Sequence, residues 1–169
     1  MFKKFAIAAS IAASLASFAT GATAADNATQ PYIGVDGGAT KFDGFSGRHG
    51  SFGGFVGLQF TPNIAVEGAY RRLGAMTVAG VDVSTDQAAL SLIGSIPMGN
   101  AFSAFGRLGY NRLSADASLH GASASGSTSG GLYGLGLAYD ASSNVAVRLE
   151  FQKPSSDSSN LSLAVAFKF

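Results

Sequence analysis

Leu161-Ser162-Leu163-Ala164-Val165-Ala166-Phe167-Lys168-Phe169, at the C-terminus, decides the fold. Leu161, Leu163, Val165, Phe167 and Phe169 alternate with Ser162, Ala164, Ala166 and Lys168, the period of a strand with one apolar face. The apolar side chains are large and those between them small or charged. The stretch also matches the roughly 9–11 residues with which a tilted strand crosses a bilayer.

The same two-residue period recurs upstream until eight segments are counted. The first, 31–41, is the weakest and sets Ile33 and Val35 against Tyr32, Gly34 and Asp36. The second sets Phe52, Val56, Leu58 and Phe60 against Ser51, Gly53, Phe55 and Gln59. In the third, Ile64, Val66 and Tyr70 oppose Glu67 and Arg71; in the fourth, Ala88, Leu90, Leu92 and Ile96 oppose Gln87, Ser91 and Ser95. Phe102, Ala104, Leu108 and Tyr110 oppose Ser103, Phe105, Arg107 and Asn111 in the fifth. The sixth places Tyr133, Leu135, Leu137 and Tyr139 opposite Gly134, Gly136 and Ala138. The seventh places Val145, Val147, Leu149 and Phe151 opposite Ala146, Arg148, Glu150 and Gln152. The C-terminal stretch is the eighth.

Connections alternate in length. Thr61-Pro62-Asn63, Pro97-Met98-Gly99-Asn100 and residues 140–144 carry the residues of tight reversals. Between them lie longer polar stretches at 40–50, 74–86, 113–131 and 153–160. Short turns on one side, long loops on the other and an even strand number describe a bacterial outer-membrane barrel. The expected fold is an all-β, eight-stranded, antiparallel up-and-down transmembrane β-barrel, with termini and short turns facing the periplasm and four loops facing outward.

Composition agrees. Among 169 residues 12% are charged and Gly supplies 23, against about 25% charged in a soluble domain. There is no Cys, so disulfides and thiolate chemistry are excluded. A net charge of +1 excludes a strongly basic nucleic-acid binder. Lys3 and Lys4, the apolar stretch 5–18 and Ala22-Thr23-Ala24 read as a signal peptide over 1–24, with the barrel domain over 25–169. Removing Lys3 and Lys4 leaves nine Lys and Arg against ten acids. No run of eighteen apolar residues follows Ala25, so no transmembrane helix is expected.

A sheet in hydrocarbon must close, because no water is there to satisfy an open edge. The apolar faces then point to lipid, and at eight strands side chains fill the lumen. Gln59, Glu67, Arg71, Arg107, Asn111, Arg148, Glu150, Gln152 and Lys168 form the inward polar set. Its charges are expected to pair, since an isolated charge in a narrow lumen is costly. Gly53, Gly57, Gly134 and Gly136 leave room for them. Phe60, Tyr70, Phe102, Tyr110, Tyr139, Phe151 and Phe169 are expected in the interfacial girdles.

The segment Gly57-Leu58-Gln59-Phe60-Thr61-Pro62-Asn63-Ile64-Ala65-Val66-Glu67-Gly68-Ala69-Tyr70-Arg71-Arg72-Leu73-Gly74 resembles the second hairpin of the small OmpA-like and OmpX-like outer-membrane barrels. Gly134-Leu135-Gly136-Leu137-Ala138-Tyr139-Asp140 followed by Val145-Ala146-Val147-Arg148-Leu149-Glu150-Phe151 is similar to them too. Phe169 behind Leu163, Val165 and Phe167 resembles the family's C-terminal assembly signal, which implies the barrel-insertion machinery as a partner. The resemblance covers 31–169. It implies periplasmic chaperones, outer-membrane lipid and lipopolysaccharide as further partners, and an extracellular ligand contacted through the loops. Full-length OmpA proteins carry a C-terminal peptidoglycan-binding domain; none is expected here, nor is anchoring to the cell wall.

Two other classes compete. A soluble lipocalin-like carrier would also be exported and alternate, but its apolar side chains would point inward, and the faces rich in Gly, Ala and Ser would fill a soluble barrel poorly. A lipid A-modifying enzyme is suggested by Arg48-His49-Gly50-Ser51, because outer-membrane lipid A deacylases pair His-x-Ser with a downstream Glu. His49 would be the base and Ser51 the nucleophile. Here, however, the pair begins the second strand, and the next Glu is Glu67 on the neighbouring strand. Palmitoyl-transferring barrels use a loop His with a later Asp-Ser, for which Asp82 and Ser84 are wrongly spaced. His49 and His120 read as loop histidines in solvent.

Gly131-Leu132-Tyr133-Gly134-Leu135-Gly136 hints at a dinucleotide loop but lies in a strand and opens no helix. Asp82, Asp86 and Asp116 read as solvated loop carboxylates rather than metal ligands. Asn27-Ala28-Thr29 and Asn160-Leu161-Ser162 match a glycosylation pattern that means little in a bacterial envelope. The Ser-rich 113–131 stretch is of low complexity and is expected to be a mobile loop or an extension of the fifth and sixth strands above the membrane. The sequence thus points to a monomeric, non-enzymatic structural or surface-interaction protein of the Gram-negative outer membrane, without cofactor, catalytic site, metal or open pore.

Overall fold

A computed structural model describes residues 29–43, 47–78, 81–119 and 122–169. The segment expected to be the signal peptide lies outside them, as does His120. Eight strands follow in order: β1 (Gln30–Phe42), β2 (His49–Thr61), β3 (Ile64–Val78), β4 (Val81–Gly99), β5 (Phe102–Leu119), β6 (Ala122–Asp140), β7 (Val145–Ser155) and β8 (Ser158–Lys168). Each pairs antiparallel with the next, and β1 closes on β8 with Val35 opposite Val165.

The faces are inverted relative to a soluble barrel. Leu108, Leu135 and Leu163 are 69%, 72% and 56% exposed, whereas Glu67, Arg107 and Glu150 are 0%, 2% and 4% exposed. This polarity overturns the lipocalin-like alternative, because only hydrocarbon outside the barrel makes such a surface favourable. The aromatics expected in the girdles, Phe60, Tyr70, Phe102, Tyr110, Tyr139, Phe151 and Phe169, are all exposed, and the rings of Phe102 and Tyr139 lie 4.8 Å apart.

The outer connections are a correction. Residues 74–86, read as a loop from their polar composition, are almost entirely paired strand, with Val78 opposite Val81, and 113–131, read both as a loop and as an extension of the fifth and sixth strands, is that extension, paired as far as Leu119 opposite Ala122. The stretch 153–160 is likewise strand on either side of a tight turn, with Ser155 opposite Ser158. Above the bilayer both faces of a strand meet water, so the apolar half of the alternation disappears while the hydrogen-bonded ladder continues. Within 40–50, residues 40–42 end β1 and His49 and Gly50 begin β2.

The short turns sit where expected, with one shift. Pro97 to Gly99 continue β4, and the reversal falls on Asn100 and Ala101, at φ of 50° and 67°. Both central residues of such a turn need positive φ.

Inside the lower half of the barrel pack Tyr32, Phe55, Ile93 and Phe105, all buried. Each of the three rings lies across the ladder from a glycine: Tyr32 from Gly57, Phe55 from Gly34, Phe105 from Gly136. A Cβ at any of these glycines would overlap the facing ring.

Candidate functional site

The lumen holds three arginines and three carboxylates in contact. Arg107 on β5 donates Nε to Glu150 Oε1 at 2.5 Å and Nη2 to Glu150 Oε2 at 3.0 Å. Its Nη2 also reaches Glu67 Oε1 at 2.6 Å. Arg148 Nη1 donates to Glu67 Oε2 at 2.7 Å, and the Tyr32 hydroxyl donates to the same oxygen at 3.1 Å. Arg71 makes a separate two-point contact with Asp36, at 2.7 and 3.0 Å. Burying these ions is tolerable because each meets an opposite charge, Arg107 with Glu150 and Arg71 with Asp36 in forked geometry.

Arg148 is held by rings as well. Its guanidinium carbon lies 4.9 Å from the Tyr32 ring centroid, 5.2 Å from Phe55 and 5.8 Å from Phe105. These three faces add cation–π attraction to the Glu67 contact. Tyr32, Phe105 and Arg148 also bound a cavity of about 260 Å³ at the periplasmic end, with Asp140 and Lys168 among its lining.

Above the Arg107 cluster the lumen is mostly neutral, the Arg71–Asp36 pair and Asp86 excepted. Gln87, Asn111, Gln152 and Asn160 are buried. Asn160 Nδ2 donates to Thr40 Oγ1 at 2.9 Å and Ser51 Oγ at 2.7 Å, and Asn111 Nδ2 to the Pro154 carbonyl at 2.7 Å. Gln152 Nε2 reaches Gln87 Oε1 at 3.4 Å.

Of the inward polar set, Glu67, Arg71, Arg107, Arg148 and Glu150 meet partners inside the lumen. Gln59 and Lys168 do not join them. Gln59 Nε2 caps the Pro62 carbonyl at the β2–β3 turn (3.2 Å), and Lys168 Nζ pairs with Asp140 at the rim (2.6 Å). Both share the inner face but sit at the barrel's end, a height that side-chain parity does not encode. Asp36 and Tyr32 are the members missing from that set. Both sit on the inner face of the weakest strand, where their alternation against Ile33 and Val35 was the available signal.

The acyl-transfer arrangement is not assembled. His49 is not a loop histidine in solvent but the first residue of β2, half-buried and tilted at 45° against Phe42 with centroids 6.1 Å apart, while the Ser51 hydroxyl accepts from Asn160. Glu67 is held by Arg107, Arg148 and Tyr32. Asp86 is engaged by Arg72 at 2.9 Å, and among the described residues no three metal-ligating side chains cluster. Residues 131–136 lie within β6.

A closed antiparallel barrel of eight strands with an apolar exterior and a charge-compensated interior is a transmembrane β-barrel. Residues 10–169 match the outer membrane protein beta-barrel domain family, and the chain belongs to it. It is a protein of the Gram-negative outer membrane. No curated protein matches it in sequence.

Solved structures share the fold. Neisserial surface protein A is 14% identical, with a TM-score of 0.68 over 83% of this chain and 97% of that one. The N-terminal β-barrel domain of Pseudomonas aeruginosa OprF is 14% identical, with a TM-score of 0.63 over 84% and 100%. Ail, the attachment invasion locus protein of Yersinia pestis, in complex with the heparin analogue sucrose octasulfate, is 19% identical, with a TM-score of 0.59 over 83% and 97%.

Proposed function

We propose that the protein is a sealed, monomeric, non-enzymatic surface-interaction barrel, whose outer hairpins contact an extracellular ligand. The observation that carries this reading is strand length. β4, β5 and β6 run 19, 18 and 19 residues, while β7 and β8 run 11. About 9–11 residues cross the bilayer, so the surplus of β4, β5 and β6 stands outside it as a wall. The ligand bound by Ail supports a contact role for such barrels.

In this reading residues 1–24 are removed on export, and Leu163, Val165, Phe167 and Phe169 are read by the insertion machinery after periplasmic chaperones deliver the chain. Lipid and lipopolysaccharide surround the apolar face. The Glu67, Arg107, Arg148 and Glu150 cluster closes the lumen to ions, and neither metal nor cofactor takes part.

The test is a chain in which the β5–β6 hairpin is cut back to the bilayer. Retained heat-dependent gel mobility would show an intact barrel. Loss of adherence by cells displaying it is the expected result, and undiminished adherence would remove the surface-contact role.

A further inference from the structure

The periplasmic end of the lumen is built differently from the rest. Higher up, long polar side chains such as Gln87, Asn111 and Gln152 fill it. Toward the periplasm the lining turns short, with Ala65, Ala138 and Ala146, and Ser95 and Ser103 nearer the turns. These side chains leave a cavity of about 260 Å³, ringed at its mouth by Pro62, Pro97 and Asn100. Protein interiors hold few voids larger than a water molecule. Tyr32, Ile93 and Phe105, all buried, form its apolar wall.

Arg148 closes the inner end with donors to spare. Arg107 spends Nε and Nη2 on Glu150 and Glu67, and its side chain is 2% exposed. Arg148 meets one carboxylate, Glu67, through Nη1, and the Tyr32 hydroxyl bonds the same oxygen. Its side chain keeps 13% exposure. An arginine has five N–H donors, so several remain for the cavity that Arg148 lines.

The charge of the lining selects the ligand. Arg148 and Lys168 are its cations and Asp140 its single carboxylate. Lys168 holds Asp140 at the mouth, which leaves Arg148 as the charge at the inner end. Glu67 is 0% exposed and not part of the lining, so the face shown to the cavity is the cationic one. Glu67 is also shared between Arg107 and Arg148, and a further carboxylate would relieve that sharing.

We propose that this cavity is a periplasm-facing binding site for small apolar monocarboxylic acids, with Arg148 as the anion-binding group. The ligand's oxygens accept from Arg148, and its ring or short chain lies along Ile93 and Phe105. A volume below the roughly 300–1,000 Å³ of drug-sized sites excludes a diacyl lipid. A phosphate dianion would bring a second negative charge with no cation to meet it. The ion cluster ends the path above, so the site holds its ligand rather than passing it across the membrane. It lies at the end of the barrel opposite the outer hairpins and stands or falls apart from the surface-contact reading.

The test titrates the full chain in nanodiscs with benzoate and with benzyl alcohol, which keeps the ring and lacks the charge. Binding is read by saturation-transfer NMR against empty nanodiscs. Benzoate is expected to bind, and benzyl alcohol at least about tenfold more weakly, the effect of losing a hydrogen bond between charged groups. Inorganic phosphate is expected not to displace benzoate. Ala138→Leu and Ser103→Leu each put a larger side chain into the cavity from outside the ion cluster. A variant that keeps its heat-dependent gel mobility is expected to lose the benzoate signal. No saturable benzoate binding, equal affinity for benzoate and the alcohol, or undiminished benzoate binding by a folded leucine variant each overturns the proposal. Displacement by phosphate overturns the choice of a monocarboxylate. The comparison of the two ligands on the unmodified chain decides the matter even if neither variant folds.

Discussion

Arg107 grips both carboxylate oxygens of Glu150, at 2.5 and 3.0 Å, and no other group is bonded to that carboxylate among the described contacts. Glu67, its second partner, keeps Arg148 and Tyr32 if Arg107 is removed. Arg107→Gln should therefore strand Glu150 rather than Glu67. The expected loss is about 3–5 kcal/mol, the cost of breaking a buried pair, read by urea unfolding in detergent. Glu150→Gln added to Arg107→Gln should recover part of it. In planar bilayers the parent is expected to show no steady conductance and Arg107→Ala to show one; a conducting parent would end the sealed-lumen reading.

Two ion pairs of similar length should differ sharply in worth. Arg71 and Asp36 meet at 2.7 Å with side chains 3% and 1% exposed, whereas Lys168 and Asp140 meet at 2.6 Å with 18% and 45% exposed. Water already solvates the rim pair, so Asp140→Ala is expected to cost about 0–1 kcal/mol. Asp36→Ala leaves a buried guanidinium without its carboxylate and should cost about 3–5 kcal/mol. Equal losses in the two unfolding curves would show that distance, not burial, governs these contacts.

Much of this lumen was legible because a membrane strand exposes its periodicity twice, as grease outward and charge inward. Glu67, Arg71, Arg107, Arg148 and Glu150 all fell on the inner face by parity alone. Parity gives a face but not a height, which is why Gln59 and Lys168 looked like members of the same cluster. Asp36 escaped because β1 is rich in glycine and its alternation weak. The outer wall was legible only in part, for a different reason: at Ser125 to Gly131 both faces meet water, so composition resembles a loop while pairing with β5 persists, and only the extension of the fifth and sixth strands was expected. Hydrogen-bond register, not hydropathy, defines those strands.

The β4–β5 turn carries strain that a single change should relieve. Ala101 sits at φ +67° beside Asn100 at +50°. A side chain in the left-handed region costs about 1–2 kcal/mol, and Gly at the second position is the usual partner of Asn in this turn. Ala101→Gly is expected to stabilise the barrel by about 1 kcal/mol after the extra chain entropy of Gly is subtracted. Unfolding midpoints of the two proteins decide it; a destabilised glycine variant would mean the turn relaxes in the folded protein.

The boundary between lipid and water on β6 makes the last prediction. Leu135 lies on the outer face between Tyr133 and Tyr139, two exposed aromatics of the kind that mark the interfaces, and is 72% exposed. Ser127 lies eight residues from Leu135 along the same strand, so it too faces outward, but in the stretch beyond the membrane. Arginine near the bilayer midplane costs about 2–4 kcal/mol and falls to about 0–1 near the interface. Leu135→Arg should therefore lower stability in lipid bilayers by the larger amount and Ser127→Arg by almost nothing. Both substitutions leave the β5–β6 backbone ladder unaltered and Ser127→Arg removes one exposed side-chain hydrogen bond from Arg112, so a larger loss at Leu135 reports on the medium outside the barrel. Similar costs at both sites would place the serine-rich half of β6 inside the membrane and leave no wall of strands above it to meet a ligand.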